Sequence, residues 1–223
     1  NTGEWYDEYR RGGGVALKDG SLDISGGIIA NNRAGVGGGI CAEGGSGSIT
    51  INGEAVIAEN TSSLYRWGGG IAANGSYQVT VGEDALISRN SAQSGGGGIM
   101  AENLTVTGGQ ITGNFTETGG GGGISTSNFT MTDGIVAGNT SEELEGGGIR
   151  INGGGSEITG GYVTNNVCNT TQHWGGGGIF VSQGASIKMR NLLVTDNTAQ
   201  GLGGGVAGCS TGQVAVTTSD GLA

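Results

Sequence analysis

Two glutamates at equivalent places in a repeated motif are the carboxylates best placed for acid or base chemistry. Glu43 and Glu102 each lie three residues after the isoleucine of a Gly-Gly-Gly-Ile sequence, and Asn74 has the same place between them. Polysaccharide-cleaving enzymes need paired carboxylates and a group that takes a proton. If the motifs stack, two turns separate the glutamates by about 10 Å, which is loose even for an inverting pair. We therefore predict no enzymatic activity, no cofactor and no metal, and keep a polysaccharide-degrading enzyme as a minor alternative.

Aromatic and arginine side chains are concentrated in segments that lead into these glycine motifs. They are Trp5, Tyr6, Tyr9, Arg10, Tyr65, Arg66 and Trp67. Such residue types dominate binding hot spots, and flat rings also stack on sugar faces. Stacking of the motifs places both segments on one side, which predicts one ligand-binding patch. The alternative is structural: the N-terminal aromatics cover the open end of a core, and Trp67 packs over its own turn.

A glycine motif recurs along the whole chain and sets the spacing of all these residues. Gly-Gly-Gly followed by Ile or Val occurs eight times, at intervals of 25 to 31 residues. The apolar residues are Val15, Ile40, Ile71, Ile99, Ile124, Ile149, Ile179 and Val206. A fixed period in this range indicates a solenoid in which one supersecondary unit is repeated.

Each interval also contains an apolar-x-x-Asn motif and a segment that alternates apolar with polar residues, such as "SITIN" and "NLTVT". Alternation with period two indicates strands with one face toward a core. The chain is therefore predicted to be all-β, a right-handed parallel β-helix of about eight rungs of 25–31 residues. Each rung has three short strands, and residues 1–223 form a single β-helix domain.

The register predicts which side chains point inward. The glycine-anchored strand contributes Ile40, Ala42, Ile71, Ala73, Ile99, Ala101, Ile149, Ile151, Ile179 and Val181. The second strand contributes Leu22, Ile24, Ile49, Ile51, Leu104, Val106, Phe129, Met131, Ile187 and Met189. The third contributes Ile57, Ile87, Ile111, Val136, Val163 and Val194. Like residues then stack on like residues.

The asparagines of the apolar-x-x-Asn motif are predicted to be structural. They are Asn32, Asn60, Asn90, Asn114, Asn139, Asn166 and Asn197. Asparagine tolerates left-handed backbone angles in turns, and its amide can hydrogen-bond to the equivalent Asn one rung away. Part of the run of five glycines at 119–123 is also predicted to be structural. Gly121, Gly122 and Gly123 align with the other triplets and are expected to resist substitution, whereas Gly119 and Gly120 are expected to be ordinary loop.

Composition limits the partners. Nine Lys and Arg against 19 Asp and Glu give a net charge of −10, and nucleic acid and anionic membranes require clustered positive charge. No stretch approaches the roughly 20 apolar residues of a membrane span, so no membrane insertion by this segment is expected. Because the chain begins at Asn1 without a leader, we expect a processed or excised part of a longer surface protein.

Three further features of the sequence each allow more than one interpretation. N-x-Ser/Thr sequons outside the asparagine column make Asn74, Asn103, Asn128 and Asn169 candidate glycosylation sites, whose use would make the chain a glycoprotein. Three cysteines, Cys41, Cys168 and Cys209, allow at most one disulfide and have no zinc-site spacing. A column of Thr50, Thr80, Thr105 and Thr130 is similar to ice-binding surfaces, but threonine is also a favoured strand residue, and ice binding is a minor alternative.

The pairing of a glycine-glycine-small-Ile motif with an apolar-x-x-Asn motif, once per rung, resembles the polymorphic outer-membrane protein repeats and related bacterial cell-surface β-helix repeats. This chain has a third glycine where those repeats have alanine, and Ile or Val where they prefer Phe. The resemblance implies an extracellular or cell-surface protein, an adhesin or recognition rod that binds host or neighbouring-cell glycans or proteins. The alternative is a structural filament or coat subunit that self-assembles end to end, because no capping element is evident in the sequence.

Overall fold

Parallel strand pairing joins each turn of the chain to the turns before and after it. The computed structural model describes residues 11–63, 67–171 and 174–217. Within them the eight apolar residues that follow the glycine triplets pair in one unbroken line, from Val15 through Ile40 and onward to Ile179 and Val206. This confirms the predicted all-β parallel β-helix. No helix in the described part of the chain is long and apolar enough to span a membrane.

Three sheets run along the rod, and they are called here the large, second and third sheets. The 13-stranded large sheet contains the glycine-anchored and alternating strands: Val15–Leu17, Leu22–Ile24, Ile40–Ala42, Ser46–Ile51, Ile71–Val81, Ile99–Val106, Ile124–Met131, Ile149–Ile151, Ser156–Ile158, Ile179–Val181, Ser186–Met189, Val206–Gly208 and Gln213–Val216. In three turns the two strands are continuous.

The second and third sheets have seven strands each. The second sheet is Ile28–Ala30, Val56–Ala58, Leu86–Ser88, Gln110–Thr112, Ile135–Ala137, Tyr162–Thr164 and Leu193–Thr195. The third sheet is Arg33–Ala34, Thr61–Ser62, Ser91–Ala92, Phe115–Thr116, Thr140–Ser141, Val167–Cys168 and Thr198–Ala199. The two-residue strands of the third sheet follow the asparagine column and were not predicted from the sequence.

The core is the predicted stack of inward residues. Ile40, Ile71, Ile99, Ile149 and Ile179 are fully buried, as are the second-strand and third-strand positions of the middle turns. At the two ends of the rod the inward side chains are half-buried, and these include Leu22, Ile24 and Val194. The sequence register is therefore confirmed, and burial declines toward the terminal turns because each turn is covered by its neighbours.

The asparagine column forms a continuous ladder. The side-chain oxygen of Asn114 accepts hydrogen bonds from the backbone N–H and the Nδ2 of Asn90, at 2.9 and 3.0 Å. The Nδ2 of Asn114 donates to the oxygen of Asn139 and to the backbone carbonyl of Ile87. The pattern repeats from Asn32 to Asn197. The prediction that the column asparagines themselves have left-handed backbone angles is wrong. The left-handed angle belongs to the residue before the asparagine, such as Glu59 or Arg89.

Candidate functional site

The outer face of the glycine-anchored strands is covered by the loops that lead into the glycine triplets. The middle residues of these strands point outward and align turn by turn: Ala16, Cys41, Ala72, Met100, Ser125, Arg150, Phe180 and Ala207. Cys41, Ala72 and Phe180 are nonetheless buried. The loops therefore form a second packed layer outside the sheet, and Trp67 belongs to this layer.

Trp67 is the one predicted patch residue that the described ranges include. It is half-buried and packs against Val36, Cys41 and Ala72, and its backbone N–H donates to the carbonyl of Ser94 at 2.9 Å. Trp67 therefore packs both on its own turn, at Ala72, and on the preceding turn, at Val36 and Cys41, and its role in binding a ligand stays a prediction. The remaining predicted residues, Trp5, Tyr6, Tyr9, Arg10, Tyr65 and Arg66, lie outside the described residues.

Farther along the same face, the loop layer opens into a groove of about 500 Å³. We call it the Arg150 groove. Its lining residues are Ser94, Gly95, Met100, Gly119, Gly120, Ser125, Leu144, Arg150 and Asn152. The floor is formed by outward side chains of the large sheet on three successive turns, and the walls are the loops that precede the glycine triplets. Its volume lies within the range of small-ligand sites.

The floor of the groove carries a chain of polar contacts. Asn152 donates from Nδ2 to the Ser125 hydroxyl oxygen at 3.1 Å and accepts at Oδ1 from the Ser182 hydroxyl at 3.1 Å. The Nε of Arg150 lies 3.4 Å from the same Ser182 oxygen. Ser125 and Arg150 lie in paired strands, and the backbone N–H groups of Asn152 and Ser182, directly after the strands, donate to Thr126 and Ile151 of the preceding turns, so the donors and acceptors keep a fixed spacing.

Arg150 is the charged centre of the groove. Its Nη1 lies 3.6 Å from Oε2 of Glu145, and the two side chains are 25% and 15% exposed. Its guanidinium carbon lies 6.0 Å from the ring centroid of the buried Phe180, at the limit of a cation–π contact. The ion pair neutralises the groove as a whole, while its remaining N–H groups and carboxylate oxygens can hydrogen-bond to a ligand.

Gly119 and Gly120 form part of this groove, and the expectation that they are ordinary loop is wrong. A Cβ at Gly119 would lie 2.1 Å from the backbone nitrogen of Gly95. A Cβ at Gly120 would lie 2.4 Å from the carbonyl oxygen of Glu145 and 2.7 Å from Nη1 of Arg150. Glycine is required at both positions because the chain must pass close to its neighbours beside the ion pair.

Glu43 and Glu102, the carboxylates considered for acid or base chemistry, are not brought together into one site by the described residues. Glu43 forms an ion pair with Arg11 at 2.9 Å, whereas Glu102 is exposed on a different turn. Residues 11–63, 67–171 and 174–217 contain no group of three metal-ligating side chains. Ser125, Glu145 and Arg150 were not predicted as site residues from the sequence. The signal that could have found them is the excess of glycines, at 119 and 120, beyond the shared triplet.

The threonine column is aligned as predicted. Thr50, Thr80, Thr105 and Thr130 pair turn by turn, with Asp23 before them and Glu157 and Lys188 after them. Charged side chains therefore bound this regular hydroxyl array at both ends. Of the sequon asparagines, Asn128 is exposed and Asn74, Asn103 and Asn169 are half-buried. The Nδ2 of Asn128 donates to Asn103 and that of Asn169 donates to Glu142.

The three cysteines are free thiols, and two of them are buried. Burial, with a smaller effect of the nearby Glu43 carboxylate, raises the pKa of Cys41 to about 11 from 9.0. Burial also raises the pKa of Cys168. The thiolate is the reactive form, so folding suppresses the reactivity of both thiols.

We therefore expect Cys209, which is half-exposed, to react first with iodoacetamide at about pH 8, where thiols begin to ionise, and Cys41 and Cys168 to react after denaturation. Peptide mapping by mass spectrometry measures the order.

The raised pKa of Cys41 also has a consequence for stability. The contribution of the Cys41 thiol to the free energy of unfolding is fully present below the unfolded pKa of 9.0. It is lost as the pH rises to about 11, because the thiol of the unfolded chain ionises first. Rapid labelling of Cys41 in the folded chain would contradict the raised pKa of this thiol.

Comparison with protein-family models, with curated proteins and with solved structures found no match for this chain. The class that the strand pairing defines is therefore the parallel β-helix, with three sheets and a loop layer on one face.

Proposed function

We propose that this chain is a non-enzymatic recognition rod, extracellular or displayed at a cell surface, that binds glycans or proteins of a host or neighbouring cell. The observation that carries the proposal is the Arg150 groove, in which the amide of Asn152, the hydroxyl of Ser125 and the ion-paired guanidinium of Arg150 line one cleft. The motif resemblance to bacterial cell-surface β-helix repeats supports the location. No cofactor or metal enters the proposal.

The chemistry of the groove favours a polyhydroxylated or peptide ligand. Asn152 offers both a donor and an acceptor, Ser125 offers a hydroxyl, and Arg150 offers a guanidinium whose charge is already balanced by Glu145. Such a mixture satisfies ligands that carry many donors and acceptors without net charge. Because the strand ladder fixes the groups, a ligand loses little binding energy to ordering the site.

The test is a glycan-array and cell-adhesion comparison of the unaltered chain with Asn152→Ala. Asn152 is exposed, so the variant is expected to stay folded by circular dichroism while binding falls at least about tenfold, as expected when two hydrogen bonds to a ligand are lost. The matched control is Asn128→Ala, which removes an exposed asparagine from another part of the large sheet. Equal binding by Asn152→Ala and the unaltered chain would remove the groove from consideration.

A second candidate function is end-to-end assembly into a filament or coat. It is favoured by apolar side chains exposed on the last described turn, where Leu202 is 64%, Val214 39% and Val216 76% exposed. Among the described residues, the strands of this turn pair on one side only, with the strands of the turn before, and an unpaired strand edge is a template for pairing with another chain. Electron microscopy at high concentration distinguishes the two functions, since separate short rods would argue against assembly.

A further inference from the structure

The outer face of the second sheet carries an aligned column of apolar side chains. The middle residue of each strand is inward, so the first and third residues point outward. The first residues pair in register as Ile28, Val56, Leu86, Gln110, Ile135, Tyr162 and Leu193. The third residues are all small: Ala30, Ala58, Ser88, Thr112, Ala137, Thr164 and Thr195.

Four residues of this mostly apolar column are exposed, Ile28, Gln110, Tyr162 and Leu193, and the other three, Val56, Leu86 and Ile135, are half-buried. Ile28 is 73% exposed, and Tyr162 and Leu193 are each 51% exposed. The corresponding outer column of the large sheet carries threonine at four successive turns and charged residues at both ends. The same molecule thus keeps one outer sheet face polar and another apolar. A contiguous apolar stripe on a surface marks a site of contact with another molecule.

The order of residues in the column is symmetric about its centre. Gln110 is the fourth of seven residues, and three apolar residues stand on each side of it. If two copies face each other with their rods antiparallel, Ile28 lies opposite Leu193, and Gln110 lies opposite Gln110 on the two-fold axis. Leu86 then lies opposite Ile135. The one polar residue of the column is therefore matched by itself, as an isologous interface requires.

We propose that the outer face of the second sheet docks on a second copy of this chain, face to face and antiparallel, about a two-fold axis through Gln110. The small residues of the neighbouring column let the two sheets approach to about 10 Å, the usual separation of packed sheets. Paired glutamine amides at the axis set the register, as single polar residues do in coiled coils.

The charges beside the stripe fit this arrangement on one flank and oppose it weakly on the other. One flank is formed by the residues that directly follow the strands and have left-handed backbone angles. In the dimer Glu59 of this flank faces Asn165 and Asp196 faces Asn31, so no like charges meet there. On the other flank the exposed Asp84 and Asp133 face each other. With a net charge of −10 per chain, added salt is expected to strengthen the dimer.

The contact area indicates a weak dimer. Seven stacked strands give a stripe about 29 Å long, and three-residue strands make it about 10 Å wide. The footprint of about 300 Å² per copy is well below the roughly 800 Å² per partner of a standard stable interface. We expect a dissociation constant on the order of 100 µM in moderate salt.

Sedimentation velocity over a wide range of concentration tests the proposal. The unaltered chain is expected to shift from monomer to dimer, and Tyr162→Lys to remain monomeric at every concentration. The matched control is Thr130→Lys, which adds the same charge to an exposed outward position of the large sheet and is expected to dimerise normally. A monomer throughout, or a dimer that Tyr162→Lys leaves intact, would overturn the proposal.

Cysteine cross-linking tests the two-fold axis separately. In a Cys209→Ser background, which removes the half-exposed native thiol, a bis-maleimide reagent with a spacer of about 10 Å is expected to link Gln110→Cys chains into a dimer, because facing residues of packed sheets lie too far apart for a disulfide. Thr130→Cys is expected to remain unlinked. Mixing Ile28→Cys chains with Leu193→Cys chains is expected to cross-link them, whereas each alone is not. Ile28→Cys chains that cross-link with themselves would show a parallel arrangement and refute the antiparallel one.

Discussion

Replacing Gly122 with valine is expected to lower the free energy of unfolding by about 3 kcal/mol or more. A Cβ at this position would lie 2.4 Å from the carbonyl oxygens of both Gly147 and Thr140. Both are backbone atoms, so no side chain can rotate to make room. Relief requires the strand ladder to open, and packed interiors transmit such strain instead of absorbing it.

A matched control separates crowding from the general effect of removing a glycine. A Cβ added at Gly26 would have no heavy atom within 4 Å, and the φ of this residue is not positive. Gly26→Ala is expected to leave stability unchanged or to raise it by about 0.4–1 kcal/mol, because alanine reduces the freedom of the unfolded chain. Urea denaturation followed by circular dichroism measures both variants. Equal tolerance of Gly122→Val and Gly26→Ala would contradict the stacking account.

Gly119→Ser is also expected to lower the stability of the fold, although the repeat alone predicts that this substitution has almost no effect on stability. The repeat identifies glycines that recur in every turn, and Gly119 does not recur. Its requirement comes from one local contact, the close approach to Gly95 beside the Arg150 groove. A pattern shared by all turns therefore identifies what builds the rod, while a feature of one turn depends on how that turn's loop passes over the sheet.

The inward positions were predictable for a physical reason. Alternation of period two leaves two choices of face for each strand, and stacking forces every turn to make the same choice. The predicted positions Ile57, Ile87 and Ile111 thus follow from one another. The two-residue strands of the third sheet were not predictable, because two residues carry no period. They form because the asparagine ladder holds the chain beside its neighbours.

The Arg150 groove was not predictable for a different reason. Ser125, Arg150 and Asn152 lie on two turns and read as ordinary outward residues, and Glu145 reads as one of several loop acids. Their grouping depends on the path of the loop that brings Glu145 within 3.6 Å of Arg150. Local pattern predicts neither that path nor its closeness to the sheet, since it results from the packing of Leu144 and Gly120 over the face.

Replacing Asn114 with alanine is expected to lower the free energy of unfolding by about 3–5 kcal/mol, because each buried polar group left unsatisfied costs about 1–3 kcal/mol. Asn114 is 1% exposed, and its side-chain oxygen accepts from two donors of Asn90. Alanine leaves the backbone N–H of Asn90 and one of its two Nδ2 N–H groups without an acceptor, the other still donating to the Ile57 carbonyl, and it removes the donor to the Ile87 carbonyl. Urea denaturation measures the loss. The control is Asn128→Ala, which loses one exposed hydrogen bond to Asn103 and is expected to cost less than about 0.5 kcal/mol.

Asn114→Asp tests whether hydrogen bonding or volume carries this effect. Aspartate has almost the same shape and its carboxylate still accepts from Asn90, but it cannot donate to Ile87 or Asn139. At neutral pH a buried charge would also face the Asn139 oxygen, so the variant is expected to be at least as unstable as Asn114→Ala. Burial raises the pKa of the new carboxyl above its unfolded value of about 3.9, so stability relative to the unaltered chain is expected to recover as the pH falls through this raised pKa, and the recovery is complete below about 3.9, where protonation restores one donor. Denaturation at about pH 7 and about pH 3.5 measures both effects, and an Asn114→Asp chain of normal stability at neutral pH would show that the ladder acts through packing alone.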